Sequence, residues 1–167
     1  MLDPDYVCFP NNIADFLCVA LQDIDPDSKI YQRPIKDTDD SQTIAVFPVA
    51  WQPETDSLEM MGRRNEPTIQ RYVIMVQSYI ADMDEARGIR KHSLLAARVR
   101  HTLYRSQAVA VALPTLEVVF SDSAGPVKER VARWGVNGQD YMNNQLPNSN
   151  KFIFLSTTEL FVETEFV

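Results

Sequence analysis

The most constraining feature of this sequence is an apolar strand that turns directly into a long helix, between Ile69 and Arg105. In Ile69–Ile80, Tyr72, Ile74, Val76 and Ile80 fall on one face of an extended chain, and Val73, Met75 and Tyr79 on the other. Alternate side chains of a strand point to opposite sides, so a segment apolar on both belongs in the middle of a sheet. Ala81-Asp82-Met83-Asp84 supplies the turn, and the short Asp84 side chain suits the N-cap of a helix over about Glu85 to Arg105. Ile89, His92, Leu95, Ala96, Val99 and Leu103 make one apolar stripe along that helix, the face that must lie on the sheet.

The flanking segments extend the pattern. Asn12 is expected to cap a first helix reaching Gln22, with Ile13, Phe16, Leu17, Ala20 and Leu21 at helical spacing and Asp25-Pro26-Asp27 closing it. Strands are expected near Lys29–Arg33 and over Thr43–Val49, separated by an acidic turn at Asp37–Ser41. Beyond Pro114 the pattern gives strands at Leu116–Ser121 and Val127–Val136, the second ending in Asn137-Gly138, the dipeptide best suited to a type I′ hairpin. Asn143–Asn150 reads as an asparagine-rich loop. Phe152–Phe166 reads as a closing strand, with Phe152, Phe154, Leu160, Val162 and Phe166 on one face and Glu159, Glu163 and Glu165 on the other. No repeat or linker divides the 167 residues. The expected fold is a single α/β (α+β) domain over 1–167, one mostly antiparallel sheet with two main helices packed on it.

Composition decides which environments such a domain suits. An apolar content of 45% with 23% charged residues is that of a chain that closes around a core, not of a disordered one. No apolar run approaches the roughly 18–20 residues needed to cross a bilayer, so no membrane partner is expected. The opening Met-Leu-Asp-Pro-Asp lacks the basic and apolar regions of a secretory signal. The spacing of Cys8 and Cys18 permits a disulfide, but a chain of this size needs no such staple, and free thiols in a reducing compartment are expected.

Charge is distributed unevenly. The chain carries −7 in total, yet Asp84 to Arg105 holds six Lys or Arg against two acids, a local +4 that leaves −11 elsewhere. Arg87, Lys91, Leu94, Arg98, His101 and Arg105 follow one another at steps of four and three, a cationic ridge opposite the apolar stripe. Such a ridge is either a solvated face or a contact for an acidic surface, on a neighbouring copy or another protein. If it is a contact alone, reversing Arg87, Lys91 and Arg98 should leave the monomer folded. The overall negative charge disfavours general nucleic-acid binding, which draws most of its affinity from neutralised phosphates. Residues 50–68 show no period, and Met60-Met61 beside Arg63-Arg64 suit either a surface hairpin or a docking arm whose methionines are buried against a partner.

No residues of the sequence form a recognisable catalytic signature. His92 sits on the apolar stripe as a core or boundary residue, and His101 lies on the ridge. Five glycines form neither a phosphate loop nor a dinucleotide fingerprint, and zinc-type ligand spacing does not occur. The acids at Asp23/Asp25, Asp37/Asp39/Asp40 and Asp82/Asp84/Glu85 fit turns and helix caps better than a cation site. No cofactor, no metal and no enzyme activity are expected.

Arg71 to Ser106 reads RYVIMVQSYIADMDEARGIRKHSLLAARVRHTLYRS, and the closing strand carries LFVETEF. The Tyr-Val-Ile-x-Val-Gln strand, acidic turn and basic helix ending Arg-Val-Arg-x-x-Leu-Tyr-Arg, in this element order, resemble the tail terminator proteins of long, non-contractile-tailed phages. The likeness covers the chain from Asn12 to Phe166. It implies a virion protein at the junction of tail and head, made in the host cytoplasm. Six copies would form a ring that caps the tail tube, ends its polymerisation and offers a surface to the head–tail connector or neck protein. DNA would pass through the lumen without specific binding, which an acidic protein suits. Two alternatives stand beside it: another head–tail connector or neck completion protein, and a small nucleic-acid-binding protein using the basic helix 85–105.

Overall fold

In the computed structural model, the residues described are 9–36, 39–53, 69–122, 125–145 and 149–167. The first helix, α1, spans Phe9–Leu21. It begins three residues before the expected Asn12 cap, because Pro10 fits the first turn, where its missing N–H would have no partner anyway. Phe9, Ile13, Leu17 and Leu21, spaced by four, form its buried row, while Phe16 and Ala20 are only half-buried at its margin. Then come β1 (Lys29–Tyr31), β2 (Gln42–Pro53), β3 (Ile69–Asp82) and α2 (Glu85–Arg105). A short helix α3 (Gln107–Ala112) runs through a 3-10 turn at Leu113–Thr115 into β4 (Glu117–Asp122), β5 (Gly125–Gln145) and β6 (Phe152–Phe166).

Among the described residues, six strands form one sheet in the order β1-β2-β3-β6-β5-β4. Of the pairings among them, only the short β1–β2 pairing is parallel. The fold is therefore α+β, with helices packed against a mostly antiparallel, strongly curled sheet. As its two apolar faces require, β3 is central, flanked by β2 and β6 over its length. One face of the sheet carries the core. Tyr72, Ile74, Val76 and Ile80 of β3 and Phe154, Leu160 and Val162 of β6 meet Leu95, Val99 and Leu103 of α2, while the α1 row covers Ile44 and Val46 of β2. Burying such a side chain contributes about 1.5–3 kcal/mol each.

Several boundaries differ from the expectation. The strand expected to reach Arg33 stops at Tyr31. β2 runs on to Pro53, so 50–53 of the expected loop at 50–68 are strand; the rest of that loop, 54–68, with Met60, Met61, Arg63 and Arg64, lies outside the described residues. β1 pairs with Thr43–Ala45, and beyond that point no strand among the described residues pairs with that side of β2; edge positions tolerate Pro48. Asn137-Gly138 does not reverse the chain. Gly138 has φ +40°, and the register with β6 skips between Val136 and Gln139, so the dipeptide forms a bulge inside one strand. The left-handed backbone that suits a tight turn suits a bulge equally. Asn143–Gln145 likewise belong to β5 rather than to a loop. Gln107–Ala112 was not expected as a helix, because its alternating Ala and Val declare no helical period.

α2 matches its expected span, and the Asp84 carboxylate accepts the Arg87 backbone N–H as its cap, 2.9 Å away. Ile89 departs from the expected stripe and is 45% exposed; the buried position is Gly88 instead. A Cβ on Gly88 would stand 2.3 Å from Phe154 Cε2, so the glycine is what lets the helix start close to β6. Gly88→Ala gains about 1 kcal/mol of helix propensity but must displace a buried ring, at about 1–3 kcal/mol. The expected result is a net loss of about 1 kcal/mol, read from the urea midpoint.

Candidate assembly interface

The ridge lies on the outer side of α2, but its members are not equivalent. Arg87 donates to both Asp82 carboxylate oxygens, with Nη2 2.6 Å from Oδ1 and Nε 2.9 Å from Oδ2. Lys91 Nζ donates to Oδ2 at 3.2 Å. The Arg87 bonds, with the Asp84 backbone N–H next, hold the Asp82 carboxyl far below the usual carboxylate range. Asp82 is the last residue of β3, so this cluster ties the end of that strand to the first two turns of α2. Arg98 reaches Asp25 of the α1–β1 turn only at 3.8 Å. Arg90, Arg100 and Arg105 are exposed and have no ion-pair partner among the described residues.

Reversing Arg87, Lys91 and Arg98 together would therefore strike the fold as well as any contact, which corrects the expectation that such a monomer stays intact. Asp82→Ala should lower Tm and speed amide exchange over residues 85–91, because Arg87 and Lys91 lose their common anchor. If exchange there is unchanged, the cluster does not hold the helix.

The opposite face of the sheet carries no helix among the described residues. Val73 and Met75 of β3 and Leu155 and Phe161 of β6 lie on it half-buried, and Met142 of β5 is exposed. A charge network crosses the same face. Glu163 of β6 accepts Arg71 Nη2 from β3 at 2.5 Å and Arg133 Nε and Nη2 from β5 at 2.7 Å each. Arg71 also lies over the Phe161 ring, 5.0 Å from its centroid. The Arg133 bonds first, and then those of Arg71, lower the Glu163 pKa from 4.5 to about 2.

His92 occupies the expected core position, between Phe154 (stacked, 6.1 Å) and Tyr141 (edge-on, 5.9 Å). Its ring bonds the Ser78 backbone, and its Nε2 has no hydrogen-bond partner among the described residues. Burial pushes its pKa down, against the bond to the Ser78 backbone. Several members of the acid clusters serve structure, while Asp37 lies outside the described residues. Asp25 accepts the Asp27 N–H and the Gln42 amide, Asp39 holds Arg33, and Asp82 and Asp84 serve α2. His101 is exposed beside Arg105. Cys18 is half-buried and free, and burial raises its thiol to about 11; Cys8 lies outside the described residues. No helix among the described residues is long and apolar enough to cross a membrane.

No protein-family model and no curated protein matches the sequence. Of the predicted contact residues, Arg87, Lys91, Arg98 and Arg105 do share one helix face, with the first two engaged within the chain. Sequence reasoning missed Asp82 as the anchor of Arg87 and Lys91, and it missed Arg71, Arg133 and Glu163 as a group. Glu163 was placed on the right face, but its partners come from strands about 90 and 30 residues earlier, a pairing that only the sheet order reveals.

Proposed function

We propose that this chain is a structural assembly subunit of the tail-terminator type, whose copies form a ring that caps a phage tail tube and presents a surface to the head–tail connector. The observation that carries the reading is the bare face of the curled sheet. Half-buried Val73, Met75, Leu155 and Phe161 lie there beside a fixed charge network, with no helix covering them among the described residues. Apolar surface rimmed by ordered charges is the usual composition of a protein contact. The α+β layout also fits the resemblance that first suggested this family, and the total charge of −7 suits a lumen that DNA must leave without sticking.

The test is native mass spectrometry with negative-stain imaging of the chain, alone and with its cognate tail-tube protein. Closed six-subunit rings, or tubes capped at a fixed length, are expected. A chain that ignores the tube protein in both measurements overturns the reading, and binding to the portal side instead would reassign it to another neck component. Arg90, Arg100 and Arg105, without partners among the described residues, keep a nucleic-acid role in view. Steeply salt-dependent DNA binding would favour it.

A further inference from the structure

The outer surface of α1 is the electrostatic counterpart of α2. From Phe9 to Asp27 the chain holds Asp15, Asp23, Asp25 and Asp27 and no Lys or Arg. Asp15, Val19 and Asp23 succeed one another at steps of four, Asp15 and Val19 on the helix and Asp23 in the turn that follows. All three are exposed, and Val19 is 69% exposed although apolar. On α2, Arg90, Leu94 and Arg98 repeat the same step with the opposite charge, and Leu94, between the two arginines, is 54% exposed.

The basic row spans about 12 Å at 1.5 Å per helical residue, and the acidic row covers the last turns of α1 and the turn that follows. One is acid, apolar, acid; the other base, apolar, base. Rows at steps of four are also the ridges by which helices most often interdigitate. Because each pattern is symmetric about its apolar centre, the two rows match whichever way the helices run. Within one chain they do not satisfy each other. Asp15 and Asp23 have no ion-pair partner among the described residues, Arg90 has none, and Arg98 touches Asp25 only at 3.8 Å.

We propose that the basic row Arg90–Leu94–Arg98 docks on the acidic row Asp15–Val19–Asp23 of a second copy of this chain. The inference rests on the reading of the chain as a self-assembling subunit and names the surfaces that meet. Val19 against Leu94 supplies an apolar centre, and the flanking charges set register and rate. Exposed ion pairs contribute little singly, so the contact is weak per copy and sensitive to salt.

The test is a charge swap on the full chain, followed by sedimentation velocity at low salt with circular dichroism as the fold control. Wild type should self-associate, and the association should weaken as salt rises. Asp15→Arg and Arg90→Glu should each move the association midpoint at least about tenfold to higher concentration, since each turns an attraction into a repulsion. One of two double variants should recover association towards the wild-type midpoint: Asp15→Arg/Arg90→Glu if the docked helices run parallel, Asp15→Arg/Arg98→Glu if they run antiparallel. If a reversal disturbs the fold, Asp15→Asn and Arg90→Gln should shift the midpoint the same way by less. A wild type that stays monomeric at low salt, single variants that associate like wild type, or two folded double variants neither of which recovers would each overturn the proposal. Failure here is distinct from failure of the terminator reading, because a ring that still caps tubes when Asp15 and Arg90 are reversed loses only these surfaces.

Discussion

Replacing Glu163 with alanine should lower the unfolding free energy by about 2 kcal/mol at pH 7, one of the two largest effects expected of a single change in this chain. The carboxylate is nearly enclosed, with 7% of its side chain exposed, and it accepts from arginines on both neighbouring strands. Its removal takes from Arg71 and Arg133 the carboxylate that they share across β6. Breaking a buried pair costs about 3–5 kcal/mol; here both arginines keep part of their surface in water, which screens the loss. The pH dependence follows in sign. The folded pKa is depressed from 4.5 to about 2, so the contribution is full above the ordinary carboxylate range and is lost as pH falls through it. Wild type should therefore converge on Glu163→Ala between about pH 4.5 and 2 in urea titrations. A difference that stays constant across that window would mean that packing, not charge, is what Glu163 supplies.

Glu129→Gln should act in the opposite direction. Glu129 on β5 is fully buried on the core side of the sheet, where its Oε1 accepts the hydroxyls of Tyr72 (2.8 Å) and Thr164 (2.5 Å). No cation is paired with it among the described residues, and its Oε2 has no hydrogen-bond partner there. Burial raises its pKa, with the Thr164 and Tyr72 hydroxyls working against that rise. A carboxyl that ionises later in the folded chain than in the unfolded one costs stability as pH rises, until the folded group itself gives up its proton. The amide carries no such cost. The advantage of Glu129→Gln should widen by up to about 1.4 kcal/mol per pH unit above the ordinary carboxylate range, and then level off. A gap that is flat with pH would show that Glu129 is charged and compensated in the fold. Two glutamates on neighbouring strands thus bracket the stability profile, Glu163 on its acid side and Glu129 on its basic side.

What could be read from the sequence was whatever a single element declares about itself. β3, α2 and β6 announce their spans and buried faces by period alone, and Asp84 announces the start of α2, so the helix–sheet core followed. Features defined by pairs of distant strands were not legible. Glu129 looked like one charge in an alternating strand, because nothing local says that its neighbours Tyr72 and Thr164 close over it. The Asn137-Gly138 dipeptide specifies a left-handed backbone, and only the continued pairing of Gln139–Gln145 with β6 decides that it is a bulge and not a turn. Of the candidate contact surface, the ridge was legible as a charge pattern. The division between arginines engaged within the chain and those left over was not, since it depends on Asp82 being folded back against α2.

The sheet order carries one more consequence, for how the chain is made. β6, which follows the other described strands in chain order, is inserted between β3 and β5 and hydrogen-bonds to both along its length. Until it emerges, two long strands wait with their inner edges unpaired, and contacts across 70 to 96 residues of sequence remain to be closed. Cooperative folding of this sheet is thus deferred until β6 has been made, and the nascent chain up to β5 is the form in which a cell must protect it from aggregation.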